Sequence, residues 1–259
     1  VIFSRRKRRP MKLVLLGTGG YYANDVRHTA CLMLPEMGVV LDAGSGMFRV
    51  AEHLATERLD IFLTHAHLDH VLGLTYLLGV LPEAVQQQTT VHGAAEKLAA
   101  IRTHLFAEPL FPVMPAFQMQ PLTGEVALAA GGKLTHFPLA HPGGSVGFRL
   151  DWPEGSLAYV TDTTAAADAA YVERIRGVNV LVHEAYFADE TDGAGEMAEV
   201  TGHSCLRDVA QVAAAAEVGL LVLVHVDPQL DPDSDPDLRP AQQIFKNTLL
   251  GADRMEIEF

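Results

Sequence analysis

The chain has 259 residues, 49% of them hydrophobic, which is enough to bury a full core. A net charge of −13 works against a broad nucleic-acid-binding face, because phosphate backbones are gripped by clustered Lys and Arg. Two cysteines, Cys31 and Cys205, make neither a disulfide framework nor a thiolate metal site, so a reduced, cytoplasmic setting is expected.

The basic residues 1–10 read as an N-terminal extension, with Met11 a candidate start and 11–259 a single domain. The apolar run that follows is too short for a secretory leader, and none approaches the ~18 apolar residues of a membrane helix. It reads instead as a strand at 13–16, broken by Gly17-Thr18-Gly19-Gly20. That loop is not a dinucleotide fingerprint, since the third glycine position holds Tyr22. Strands are expected at 29–34 and 38–41, closed by Asp42-Ala43-Gly44, then a helix over 48–56 and a strand at 61–63. A helix over 72–81, a strand at 89–92, a helix over 94–105 and a Pro-rich stretch at 109–115 follow. Further strands are expected at 118–121, 134–139, 146–150 and 157–161, then a helix over 165–176 and a strand at 178–183. An Ala-rich helix over 206–218 and a strand at 220–226 come next, and the acidic stretch 231–237 reads as a solvated loop rather than a calcium site. Strands and helices intermix without a regular βαβ beat, which predicts an α/β sandwich of two sheets with helices outside.

The chemistry concentrates in His65-Ala66-His67-Leu68-Asp69-His70. At an extended strand end His65 and His67 point to one side, while Asp69 and His70, on the turn into a helix, can serve a second site. Imidazole nitrogen and carboxylate oxygen suit Zn²⁺ and related ions, and two such sites ~3.5–4 Å apart make a hydroxide-generating pair. Further candidate ligands each sit just past an apolar strand: His141, Asp162 and His225. Singly, each histidine reads more readily as structural; the repeated placement at strand ends is what singles them out.

The set Thr64-His65-x-His67-x-Asp69-His70, then His141, Asp162 and His225, resembles the metallo-β-lactamase superfamily over nearly all of residues 11–259. The resemblance implies an αββα sandwich with two divalent metal ions at one edge of the sheets, zinc first and manganese or iron as alternatives. It assigns His65, His67 and His141 to one metal, Asp69, His70 and His225 to the other, and Asp162 to a bridge, with Asp69 also counted in the catalytic set. Aspartate rather than cysteine at 162 is similar to the hydrolase and phosphodiesterase branches.

Leu16-Gly17-Thr18-Gly19-Gly20, Leu41-Asp42-Ala43-Gly44, His141-Pro142-Gly143-Gly144, His183-Glu184-Ala185 and Gly202-His203-Ser204 resemble the ribonuclease Z-like branch, with Tyr186 and Cys205 where that branch has threonine. On this reading His203 gives the leaving alkoxide its proton and Glu184 orients it. The plain alternatives are a helix cap for Ser204, a buried structural carboxylate for Glu184, and a turn or supporting role for Asp42. Phe106, Phe111 and Phe117 are either pocket-shaping or ordinary core. Members that mature tRNA carry a long arm, in the bacterial type between the third histidine and the bridging aspartate, yet only 20 residues separate His141 from Asp162 here. The expected activity is therefore phosphodiester cleavage on a small or cyclic substrate, with ester or lactone hydrolysis, and less so tRNA 3′-end processing, as alternatives. Neither a membrane nor an extended nucleic acid is an expected partner; a homodimer is what the resemblance brings.

Overall fold

The computed structural model describes residues 10–189, 191–230 and 235–259; the basic positions 1–9 and the start of the acidic stretch, 231–234, lie outside the described residues. Two seven-stranded sheets form the frame. The first holds β1 (Lys12–Gly17), β2 (Cys31–Leu34), β3 (Val39–Leu41), β4 (Leu59–Phe62), β5 (Thr89–Gly93) and β6 (Gln118–Pro121) in that spatial order. The second holds β7 (Val126–Ala127), β8 (Lys133–Leu139), β9 (Ser145–Asp151), β10 (Ser156–Val160), β11 (Val180–Glu184), β12 (Leu220–Val224) and β13 (Thr248–Leu250). The last strand, β14 (Glu256–Glu258), returns to the first sheet and pairs antiparallel with β1.

Period-two alternation decides which way each side chain faces. Leu13 and Leu15 join Leu32, Leu41 and Phe62 between the sheets, while Val14 and Leu16 face the outer helices. In the second sheet Leu157, Tyr159, Val180 and Val182 point inward. Ala158, Val160 and Leu181 point outward, onto Val209, Ala210 and Ala213 of the helix Leu206–Ala215. Both faces of the central strands are covered, which is why they read as unbroken apolar runs rather than alternating ones.

Strand direction places the polar residues. β3, β4 and β5 are mutually parallel; β8 runs with β10 because β9 is antiparallel to both, and β10, β11 and β12 are parallel. Their carboxyl ends release Asp42, the 64–70 segment, His141, Asp162, Glu184 and His225. The two sheets meet at this edge through the bridge between Gly19 and Val226. Between His141 and Asp162 the chain forms only the antiparallel pair β9–β10, closed by the turn 152–155 with Trp152 N donating to the Gly155 carbonyl at 2.9 Å.

Several expected helices take other forms. Residues 165–176 make successive turns, not a helix: Ala165 N is held by Ser204 Oγ, and Tyr171 and Ile175 are drawn into the core, so packing overrides the propensity of an Ala-rich run. The 48–56 and 72–81 segments each split into a 3₁₀ turn followed by a one-turn helix, Ser45–Arg49 into Val50–His53 and Leu72–Tyr76 into Leu77–Val80. The helix Ala194–Thr201 has no clear sequence signature, because Gly193 and Gly195 sit at its start. Phe106 and Phe117 are core, with Phe111 packed against them, and none of the three lines the cleft described below. Among the described residues no helix is long and apolar enough to cross a membrane.

The chain's end is tied to the Gly17–Gly20 loop by Asp253. Its carboxylate accepts from Thr18 N at 3.0 Å, Thr18 Oγ1 at 2.8 Å, His28 N at 2.8 Å and Arg49 at 2.6 Å, with Arg49 and Asp253 both largely buried. Removing one member of a buried, hydrogen-bonded ion pair leaves the other uncompensated. Asp253→Ala is therefore expected to cost about 3–5 kcal/mol of stability, seen as a fall in the urea midpoint without a change of slope.

Candidate metal centre

Thr64 and His65 follow β4 and fix the first donor set. His65 Nδ1–H donates to Thr64 Oγ1 at 3.0 Å, and the Thr64 hydroxyl donates to Asp42. His70 Nδ1–H donates to Asp42 Oδ2 at 2.8 Å, and His141 Nδ1–H to the Gly202 carbonyl at 2.9 Å. In each ring the engaged Nδ1 leaves the Nε2 lone pair free for a cation. Asp42, fully buried, also accepts from Thr64 N at 2.8 Å and Tyr159 OH at 2.9 Å, so its role is to hold two of these histidines from behind. The short helix Leu68–Val71 carries Asp69 and His70 in, as the residue pattern predicts.

Among the described residues the free donor atoms form two main groups, and a third, overlapping one brings His203 together with Asp162 and His225. His67 Nδ1 lies 3.3 Å from His141 Nε2, and Asp162 Oδ2 lies 3.5 Å from both His65 Nε2 and His141 Nε2. In the second group Asp69 Oδ2, His70 Nε2 and His225 Nε2 are mutually 3.3 Å apart, with Asp162 Oδ1 at 3.2 Å from His70 and 3.4 Å from His225. A tetrahedral zinc site with bonds of ~2.0–2.1 Å has ligand atoms about 3.3 Å apart. Both groups fit that spacing. His65 Nε2 is buried with no hydrogen-bond partner, an unmet donor set that a cation would satisfy. All seven residues singled out from the sequence converge, and Asp162 faces each group with a different oxygen.

Tight backbone geometry makes this possible. Asp162 and His225 both adopt left-handed φ, 53° and 58°, within two residues of the ends of β10 and β12. The Gly17–Gly20 loop passes so close that a Cβ on Gly20 would stand 2.6 Å from the His225 ring, so glycine is required there.

Burial pushes the His65 imidazole well below its ordinary value, reinforced by His70 beside it. Burial also opposes charge on His70, but Asp162, Asp69 and Asp42 outweigh it and hold His70 well above; His225 is raised likewise, chiefly by Asp162. Asp69 and Asp162 are held far below the carboxylate range by these histidines despite their burial.

Beside the second group, His203 Nδ1–H donates to Glu184 Oε1 at 3.2 Å. The His203 ring stacks between Tyr186 at 4.8 Å and His225 at 5.3 Å. Glu184 is fully buried and also accepts from Thr163 N at 2.7 Å and Ser204 N at 3.3 Å. Ser204 is not a helix cap: the cap position is Cys205, and the Ser204 hydroxyl donates to the Thr163 carbonyl at 2.6 Å. His183 turns away, with Nδ1 bonded to the Glu184 carbonyl and Nε2 accepting from Tyr171 OH. A cleft of ≈ 220 Å³ opens over the donors, bounded by Tyr21, Tyr186, Phe187, Thr201 and His203. Tyr21 is a cleft residue the sequence reading missed; its place directly after the Gly17–Gly20 loop was the available signal. Both cysteines are buried free thiols, with burial and nearby Asp208 pushing Cys205 up to about 11.

A two-sheet sandwich with paired His/Asp donor sets at one edge defines a metallo-β-lactamase-fold hydrolase. Residues 38–226 match the Beta-lactamase superfamily domain, and the chain belongs to that superfamily. Its similarities fit the ribonuclease Z-like branch. A ribonuclease Z of Gemmatimonas aurantiaca is 27% identical with 96% of each chain covered, and a ribonuclease BN of Escherichia coli is 27% identical over 94% of this chain and 98% of that one. Among solved structures, the metallo-beta-lactamase fold protein YhfI from Bacillus subtilis superposes with a TM-score of 0.78 at 16% identity, covering 96% of this chain and 100% of that one. The short form of human tRNase Z gives 0.72 at 21% identity, covering 95% and 98%. A diphosphatase of the PhnP family gives 0.71 at 20% identity, covering 96% and 97%.

Metal loading is expected to register in three ways. Elemental analysis gives two ions per chain, and His225→Ala gives one. Zinc at about a hundredfold its Kd adds roughly 2.7 kcal/mol, or about 5–10 °C in Tm, reversed by a chelator. Since the carboxylates raise His70 and His225, zinc must displace protons from them, so affinity falls as pH falls and uptake near pH 7 releases protons. Calorimetry in buffers of different ionisation enthalpy reads that release; its absence would contradict the assignment.

Proposed function

We propose that the chain is a dinuclear, zinc-dependent phosphodiesterase acting on a small or cyclic phosphodiester. The observation that carries this reading is His203, backed by Glu184, on the open side of two donor sets joined by Asp162. On this reading His65, His67, His141 and Asp162 hold one ion, and Asp69, His70, His225 and Asp162 the other. When bound, the ions would supply an activated water and neutralise charge on the phosphate.

The chain's own groups then have defined tasks. Glu184 accepts the Nδ1–H of His203 and so orients the ring, leaving Nε2 as the atom that hands a proton to the leaving alkoxide. Stacking by Tyr186 and His225 fixes the plane of that ring. Asp69, besides facing the second donor set, accepts from Tyr21 N at 3.0 Å and so anchors the loop at the cleft mouth.

Three features support a small substrate. The β9–β10 hairpin leaves nothing protruding between His141 and Asp162, and the net charge is −13. The alignment to the Gemmatimonas protein runs over 312 positions, longer than this 259-residue chain, so part of that relative has no counterpart here.

Zinc-loaded protein is expected to turn over bis(p-nitrophenyl) phosphate faster than a p-nitrophenyl ester, a lactone or precursor tRNA. His203→Ala should lower kcat roughly 10²–10⁴-fold with two ions still bound. Turnover of the ester alone would replace this reading with ester hydrolysis, and efficient precursor-tRNA cleavage would replace the small substrate. Loss of metal in His203→Ala would make His203 a ligand.

A further inference from the structure

Tyr21 stands out at the mouth of the cleft. Its φ of 59° lies in the left-handed region, which bulky L residues rarely occupy. The conformation is pinned to the metal centre by the hydrogen bond from Tyr21 N to Asp69 Oδ2, 3.0 Å. Yet the residue gains little packing in return: it is 68% exposed, and the ring contact it makes is an edge against Tyr22 at 5.3 Å. A strained backbone that presents a bare aromatic ring beside a reaction centre points to a ligand rather than to stability.

The rest of the cleft agrees. Tyr186 stacks on His203 at 4.8 Å with the planes 18° apart, and Phe187 meets Tyr186 edge-on. Among the described residues no Lys or Arg lines the cleft. Lys97 reaches toward this edge, but its ammonium is engaged by the Gly143 carbonyl. Beyond the donor sets and His203, then, the cleft offers aromatic surface and neither Lys nor Arg, which suits an uncharged planar group.

We infer that Tyr21 and Tyr186 form an aromatic platform that selects phosphoesters whose organic group is a planar ring, so the substrate is an aryl- or base-bearing phosphodiester. This rests on the phosphodiesterase reading above, with the phosphate at the metals and the ring on the platform. Tyr186 is the fixed wall, since it also braces His203; Tyr21 is the wall open to the incoming ring.

Calorimetric titration of the zinc-loaded protein with phenyl phosphate, cyclohexyl phosphate and methyl phosphate tests it, because the three probes carry the same charged group. Phenyl phosphate is expected to bind roughly tenfold tighter than methyl phosphate, with cyclohexyl phosphate behind phenyl, and its ring protons should shift upfield in the NMR spectrum. Tyr21→Gly should collapse the phenyl-to-methyl ratio toward one while Tm holds or rises, because glycine accepts the left-handed backbone. Tyr21→Phe should keep the ratio. A wild-type ratio near one, equal binding of phenyl and cyclohexyl, no binding of any probe, or a ratio unmoved by Tyr21→Gly each overturns the platform. A ratio that holds in a protein inert toward all phosphodiesters leaves the platform standing and removes the phosphodiesterase reading; turnover with a ratio of one does the reverse.

Discussion

The site depends on the carboxylate of Asp162 being offered to two donor sets at once. One oxygen lies 3.5 Å from His65 and His141, the other 3.2 and 3.4 Å from His70 and His225. Four imidazoles crowded this closely are unfavourable as neighbours, and burial adds to that. Asp162 opposes both effects while buried itself, so the cluster holds together only if its carboxylate is aimed between the groups. The chain achieves this with the left-handed backbone of Asp162, two residues past β10, and the Thr161 hydroxyl donating to Oδ1 at 2.7 Å.

The same device recurs around the edge. Asp42, Asp162, His225 and Tyr21 all take φ between 53° and 59°, a conformation that costs of order 1–3 kcal/mol for a non-glycine residue. For Asp42 the compensation is visible, as its carboxylate gathers the Thr64 amide and hydroxyl, His70 and the Tyr159 phenol. For Asp162 and His225 it is the opposed charges of the cluster. The reversals at Asp42, Asp162 and His225 sit within two residues of the end of a co-directional strand, so a rigid sheet, rather than a flexible loop, sets the donor positions.

How much of this was legible follows from what each residue needs. The histidine motif and the strand-end placement of His141, Asp162 and His225 could be read directly, because donor type and spacing are themselves the chemistry. The two-sheet fold was legible from apolar runs of strand length. The 165–176 segment was not: its alanines favour a helix locally, and only the tertiary bonds of Ala165 to Ser204 and Tyr171 to His183 show why it turns instead. Asp42 is one acid among many in the sequence, and its hold on two histidines exists only once β3 lies beside β4. Tyr21 was hidden for a related reason, since its left-handed backbone depends on a bond to Asp69, 48 residues away.

Glu184 shows why a structural and a functional role were hard to separate in advance. The same carboxylate accepts from Thr163 N, one residue past Asp162, and from Ser204 N, one residue past His203. Ser204 then closes the circuit by donating to the Thr163 carbonyl. The loop that aims Asp162 and the loop that carries His203 are thus registered on a single buried group, which also receives the His203 Nδ1–H. A carboxylate satisfied by three donors at full burial is what structural economy alone would select. Here, that satisfaction is also what sets the distance between His203 and the donor sets, so the buried role and the chemical role are one arrangement.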